Sequence, residues 1–486
     1  MSSPTPDQSP ARDRIAAVSF WLLIGMIATI GAGKAVLSDS LDPDLFWHLR
    51  VADQLRTEGI GPIVDHLSFS SIKDPWTPYS WLAELAMKWQ WDHWGWRSAV
   101  AIKAIVVAGI IVIIAVCALT LAGPERRLNA VVGTAFGAFL TIPFLSFRPV
   151  TFAILLLGIC AWLLLRDRTK KSPLVWLVVP LTLLITNIHL SSIVVPIWVG
   201  CLFLGALIER RHVKRYAILL IATSVACLAT PMLPGAIRTA WYYQASDVMV
   251  NSPIIAEMRP VYFGVIGKVT VALLIVLLVL AIVRRRELRW GEGVWLIAAI
   301  LMTFRLSRFG PMLAFIAAPI LAAVLPTMRD RVLRKPVIAV ALGAVLLLGM
   351  GRIVAGFPGR ETSMDKWVNR HLPAYPTEAA GYVNTNITPR AHRLINEFNW
   401  GGYLEWRLGE RYQVFLDGRT QLFTPEFWRK TYLGSDEDAA AMLRSADADV
   451  AIIPKGRSQF RKPLEMLGWQ SVYHDDVAEV LIPPSR

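Results

Sequence analysis

The strongest constraint on this chain is a series of apolar blocks, each long enough to cross a bilayer and closed at both ends by basic residues. Between Arg126-Arg127 and Arg166-Asp167-Arg168 lie 38 residues, interrupted by Phe144-Leu145-Ser146-Phe147-Arg148-Pro149. At ~1.5 Å per residue one helix would reach about 57 Å, nearly twice the hydrocarbon thickness of a membrane. Basic residues stay on the cytoplasmic side, so both ends lie there and the block is a helical hairpin turning near Arg148. The same reasoning makes a hairpin of Lys170-Lys171 to Arg210-Arg211, turning at Asn187-Ile188-His189. A third runs from Arg284-Arg285-Arg286 to Arg329-Asp330-Arg331 and turns near Phe304-Arg305-Leu306-Ser307-Arg308.

Single crossings are expected from Ile15 to Val36 and near 97–122, 214–231, 265–283 and 336–355, which brings the total to about eleven. Arg12 and Arg14 hold the N-terminus in the cytoplasm, and an odd number of crossings sends the C-terminal segment outside. The first apolar run is longer than a signal peptide's apolar region, so it reads as a retained helix. The expected organisation is a cytoplasmic tail over 1–14, a transmembrane domain over 15–355 and a soluble extracytoplasmic α/β domain over 356–486.

Charge supports this division. Only 18% of the 486 residues are charged, against about 25% in soluble domains, and 55% are hydrophobic. The net charge of +14 invites a nucleic-acid reading, but residues 357–486 hold 16 basic and 17 acidic side chains. The excess lies in the short loops of the membrane part, where it reports topology; no nucleic-acid partner is expected. The four cysteines (Cys117, Cys160, Cys201, Cys227) lie in apolar runs with neither disulfide nor metal spacing.

The outer loop 37–97 is dense in tryptophan. Leu45, Leu49, Ala52 and Leu55, then Trp81, Leu85 and Trp89, fall at helical spacing. Two amphipathic juxtamembrane helices lying in the interface fit this pattern; a small aromatic core under the loop is the other reading. In the tail, Arg393–Ile395, Gln413–Leu416, Asp449–Ile453 and Val477–Leu481 read as strands, with helices over Asp436–Ser445 and Ser458–Leu467. The expected domain is α/β with a largely parallel sheet. Asn399, Asp417 and Arg419 follow strands, where such folds place ligand groups.

Several ionisable residues sit where the topology makes them costly. Asp42 and Asp44 directly follow the first helix, and Arg148, His189, Arg305 and Arg308 occupy hairpin tips on the same outer face. Ionisable groups at membrane depth tend to mark sites. Cations on several tips suit an anionic ligand such as a lipid-linked phosphate or pyrophosphate sugar, because arginine pairs two donors with a phosphate. The carboxylates would work beside it, as a general base or as ligands to a divalent cation such as magnesium or manganese. Each residue also has a structural reading: Asp42 or Asp44 as a helix cap, Arg148 as a snorkelling side chain, His189 as a turn residue, and Arg305 and Arg308 as partners of acids in the tail. The loop Pro231–Gly264, carrying Glu257 and Arg259, is long enough for a lid over a ligand; its aromatics could equally pack on the interface.

An acidic motif opening the first outer loop, juxtamembrane helices and about eleven crossings resemble the GT-C superfamily of integral membrane glycosyltransferases. The segment Asp42-Pro43-Asp44-Leu45-Phe46-Trp47-His48-Leu49, with Asn399-Trp400-Gly401-Gly402-Tyr403-Leu404 and Asp417-Gly418-Arg419, looks like a group of bacterial GT-C-like membrane proteins. Relatives with adjacent acids differ from this chain, where Pro43 separates the pair. The resemblance implies sugar transfer from a polyprenyl-phosphate donor to an extracytoplasmic glycan, lipid or protein acceptor, in a bacterial cytoplasmic membrane. Asp44, then Asp42, would be base or metal ligand, with His48 beside them. Arg148, His189, Arg305 and Arg308 would hold the donor phosphate. Glu257, Arg259, Asn399, Asp417 and Arg419 would serve lid or acceptor. A lipid or polysaccharide exporter and a non-catalytic assembly partner are the alternatives; the first should show internal repeats and midplane charges, and neither pattern is present.

Overall fold

The computed structural model describes residues 10–38, 41–252, 254–328, 330–359, 363–370 and 374–484. Residues 1–9 of the expected cytoplasmic tail, and Arg329, lie outside them. The chain forms two compact units, one of 1–38, 100–230 and 256–357, the other of 39–99, 231–255 and 358–486.

The first unit is helical. Among the described residues, eight helices are long and apolar enough to cross a membrane: Pro10–Leu37, Trp81–Ala122, Pro124–Phe144, Pro149–Lys170, Leu190–Glu209, Gly264–Val283, Ser307–Val324 and Pro336–Gly356. Three further segments expected to cross are helical but shorter. They are Pro173–Thr186, Val213–Ala226 and Trp290–Arg305, and helices of 14–16 residues reach only about 21–24 Å. The turns at Arg148, His189 and Arg308 fall between helices, as the basic-ended blocks require. The Trp81–Ala122 helix breaks at Gly95 (φ 70°, ψ −179°), a backbone geometry that glycine supplies without a Cβ clash.

The solvent these helices need can be read from their surfaces. No residue of Pro336–Gly356 is buried, and Val340, Leu348 and Ile266 are 72%, 75% and 69% exposed. Apolar area at that density costs about 25 cal/mol per Å² in water and nothing in lipid. The chain is an integral membrane protein. At the basic ends, several arginines are ion-paired. Arg168 Nε meets Glu292 Oε1 at 3.1 Å and its Nη2 meets Glu209 Oε1 at 3.0 Å, while Arg215 Nη2 meets Asp167 Oδ1 at 2.7 Å.

The second unit carries a five-stranded sheet: β1 Arg393–Asn396, β2 Gln413–Val414, β3 Val450–Pro454, β4 Gln470–His474 and β5 Ala478–Ile482, in the order β2-β1-β3-β5-β4. β1 pairs in parallel with β2 and β3, while β5 runs antiparallel to both β3 and β4. The sheet is therefore mixed, not largely parallel. β4 and β5 are joined by three residues, and a link that short permits only a hairpin. The outer-loop helix Pro43–Glu58 is built into this unit's core. Phe46 lies edge-on to Trp91, Tyr375 and Tyr403 at 5.2–6.3 Å, and Trp47, Val51 and Leu55 join the apolar cluster that includes Ile395, Phe415 and Ile453. Trp89 and Trp94 stay exposed.

Candidate active site

In the second unit, the three segments singled out in the sequence come together. Asp42 is the N-cap of Pro43–Glu58; its carboxylate accepts from Asp44 N at 2.9 Å, with Pro43 at the first helical position. That satisfies one of the donors a helix start leaves open. Asp44, two residues on in the helix's first turn and half-buried, accepts from Trp47 Nε1 at 3.0 Å. A Cβ on Gly418 would stand 2.3 Å from Asp44 Oδ1, and one on Gly402 would stand 2.8 Å from the Pro43 carbonyl. The glycines of the other two segments are thus what lets the 401–408 helix and the 417–419 turn approach the acidic motif. His48 is buried, lies tilted against Trp47 with ring centroids 3.6 Å apart, and holds Nδ1 2.9 Å from Glu84 Oε1.

Arg419 has no exposure worth the name. Its guanidinium meets Asp417 at 2.5 Å, Asp65 at 2.7 Å and Glu405 at 3.4 Å, and lies over the rings of Trp47 and Trp76 at 5.8 and 5.4 Å. Three carboxylates around one cation cannot all stay charged cheaply in a dry interior. Burial, and then the charge of Asp417, push the Glu405 carboxyl well above its ordinary value. Burial also works against charge on Asp65, but Arg419 and Ser71 hold it below the usual range. Arg419 and Asp417 are therefore occupied with each other and with this cluster. Asn399 is exposed in the Phe398–Trp400 turn. The buried asparagine here is Asn396, which donates to Leu416 O at 2.8 Å and accepts from Phe415 N at 2.9 Å. Asp65, Glu84, Asn396 and Glu405 were missed in the sequence, where nothing local distinguishes them from surface acids and amides.

In the first unit, three of the four predicted hairpin-tip residues gather around one acid. Arg148, extended ahead of Pro149 (φ −153°, ψ 166°), places Nη2 2.5 Å from Glu257 Oε2. Glu257 sits in the Ala256–Met258 turn, and its carbonyl accepts from Ser307 Oγ at 3.0 Å; Ser307 N donates to Arg259 O at 2.9 Å. Arg308 reaches Met258 Sδ at 3.2 Å. Burial would raise the Glu257 carboxyl, but Arg148 and Arg308 together hold it below its ordinary value. His189 caps the Leu190–Ile193 turn, Nδ1 accepting from Ser191 N at 3.1 Å. Burial, then Arg308 and Arg148, push its imidazole down to about 3. Arg305 ends the Trp290–Arg305 helix with its side chain exposed. Beside the cluster, an apolar cavity of about 230 Å³ is lined by Phe139, Phe144, Phe263 and Thr270, with Arg259 and Ser307 at its polar side.

A histidine kept neutral down to pH 3 makes folding sensitive to acid. Below pH 6.5 the unfolded chain binds a proton at His189 that the folded chain refuses, so stability falls as pH falls towards 3. Melting of the purified chain in neutral detergent is expected to shift downward between pH 7.5 and 4.5, and less so in His189→Asn, which keeps a cap. Parallel curves would remove His189 from this role.

No family model and no curated protein matches the chain. Solved structures do. The archaeal oligosaccharyltransferase AglB from Archaeoglobus fulgidus, in complex with an inhibitory peptide and a dolichol-phosphate, matches with a TM-score of 0.57 at 10% identity, covering 89% of this chain and 69% of that one. ArnT from Cupriavidus metallidurans in the apo state matches with a TM-score of 0.52 at 16% identity, covering 96% and 98%. ArnT bound to undecaprenyl phosphate gives 0.50 at 16% identity, with the same coverage. At such identities the likeness is one of fold: this chain shares the fold of the AglB and ArnT structures.

Proposed function

We propose that this chain is a membrane glycosyltransferase that moves a sugar from a polyprenyl-phosphate-type donor to an acceptor hydroxyl or amine on the extracytoplasmic face of a bacterial cytoplasmic membrane, with its N-terminus inside. The observation that carries it is the meeting of Arg148, Arg308 and His189 around a single carboxylate, next to an apolar cavity, in a chain with this fold. A cationic seat bordering an apolar cavity suits an amphiphile with a phosphate head and a hydrocarbon tail. The dolichol-phosphate and undecaprenyl phosphate carried by the AglB and ArnT structures support the same ligand class.

In this reaction the acceptor oxygen or nitrogen attacks the anomeric carbon. The bond from that carbon to the phosphate oxygen breaks, and the phosphate leaves with the electron pair. Arg148 and Arg308 would stabilise the charge that develops there. Asp44 would take the acceptor's proton, because Asp42 spends its carboxylate on the helix cap. His48 would support the same segment, held by Glu84. The residues do not make a metal site on their own terms: among the described residues no group of three or more His, Cys, Asp or Glu side chains gathers to hold an ion. No step is therefore routed through magnesium or manganese, and assays with and without EDTA read that dependence. Glu257 and Arg259 belong with the donor seat, and Asp417 and Arg419 with support of the Asp44 segment. Asn399, being exposed, is the one of the tail residues open to an acceptor.

The test is transfer of radiolabelled sugar from polyprenyl-phosphate donors by purified protein. Arg148→Ala and Arg308→Ala are expected to weaken donor binding by roughly tenfold each, about 1.4 kcal/mol, with melting unchanged beyond a few degrees. Unaltered donor affinity in both variants would remove the hairpin cations from the site.

A further inference from the structure

Glu257 occupies the very groups that a donor phosphate needs. Its carboxylate sits on Arg148, with Arg308 and His189 as neighbours, and its main chain is tied separately through the Ser307 hydroxyl and the bond from Ser307 N to Arg259 O. The backbone of the turn is thus fixed by contacts that do not involve the side chain. Rotation of the Glu257 side chain alone would release Arg148 from this carboxylate without dismantling the turn. Such a carboxylate also has a physical reason to be there in the absence of ligand, since a half-buried guanidinium is disfavoured without a counterion beside it.

We infer that Glu257 is an internal occupant of the anion seat: its carboxylate pairs with Arg148 until a lipid phosphate arrives, and then swings out. This rests on the donor-phosphate assignment above and adds to it a built-in competitor. A ligand that must displace such an occupant binds with its intrinsic affinity reduced by the fraction of protein whose seat is open. Removing the charge of the occupant should therefore tighten binding, whereas removing a side chain that contacts the ligand should weaken it. The two roles have opposite signs.

The experiment is calorimetric titration of the full chain in neutral detergent with farnesyl phosphate, a soluble lipid phosphate. Glu257→Gln is expected to bind about tenfold tighter than the unsubstituted protein, and Arg148→Ala about tenfold weaker, each about 1.4 kcal/mol. In the double variant the gain from Glu257→Gln should vanish, because the carboxylate competes through Arg148. Glu257→Asp keeps the charge but shortens its reach, and is also expected to bind tighter; it serves if Glu257→Gln fails to fold. Equal or weaker binding by the Glu257 variants, alongside weaker binding by Arg148→Ala, overturns the internal occupant and leaves the donor seat standing. Absence of farnesyl phosphate binding in every form overturns both.

Discussion

Replacing Asp44 with asparagine is expected to lower the rate of sugar transfer by roughly 10²–10⁴-fold, the usual contribution of a positioned general base. The protein should remain folded, because the amide oxygen of Asp44→Asn can still accept from Trp47 Nε1, the bond that now holds the carboxylate at 3.0 Å. The contrast is with Asp42→Asn. Asp42 caps the Pro43–Glu58 helix, and asparagine is as good a cap as aspartate, so that variant should keep both stability and most of its turnover. Asp42→Ala should lose about 1 kcal/mol of stability and little of the chemical step. The measurement is single-turnover transfer from a labelled polyprenyl-phosphate sugar, with melting as the folding control. Asp44→Asn turning over at more than a tenth of the normal rate would end its role as base, and a larger loss in Asp42→Asn than in Asp44→Asn would exchange the two.

The membrane architecture was legible because length and end charge are local properties. A block of 38 apolar-dominated residues with arginines at both ends allows only a return trip, and the turns at Arg148, His189 and Arg308 follow. Which cations would meet was legible only as a set. Arg305 and Arg308 looked alike in sequence, yet a helix end turns Arg305 out to exposure and leaves Arg308 on the Ala256–Met258 turn. Glu257 was visible as a lid residue and not as the counterion of Arg148, since 109 residues separate the two. The tail misled in a different way. β4 is almost wholly exposed, so it lacks the apolar alternation that announces a strand, and without it the antiparallel end of the sheet could not be inferred. The outer-loop helix was readable as amphipathic, but not as the partner of Tyr375 and Tyr403, because amphipathic spacing says which face is covered and not by what.

The clearest long-range pairing hidden from the sequence is also where the largest stability loss is expected. Arg419→Met should destabilise the second unit by about 3–5 kcal/mol, the cost of breaking a buried ion cluster by removing one partner. Arg419 is the cation ion-paired with Asp417, Asp65 and Glu405, all of them buried. Asp65 would keep its bonds from Ser68 N and Ser71 Oγ at 3.0 and 2.7 Å, which sets the loss below that of a bare charge. For a unit of this size the expected fall in melting temperature is about 10 °C. Its pH dependence has a definite sign. Without the guanidinium, the carboxyl of Asp65 rises, and the folded variant takes up a proton that the unsubstituted protein does not. The deficit should therefore be greatest at neutral pH and shrink as pH falls through the raised carboxyl value. Glu405→Gln provides the opposite arm. Glu405 is held well above its ordinary value in the fold, so it costs stability as pH rises from about 4.5, and removing its charge should leave melting unchanged in acid and raise it towards alkaline pH. Equal melting of Arg419→Met and the unsubstituted protein at neutral pH, or a deficit that widens on acidification, would show that the carboxylates do not depend on this arginine.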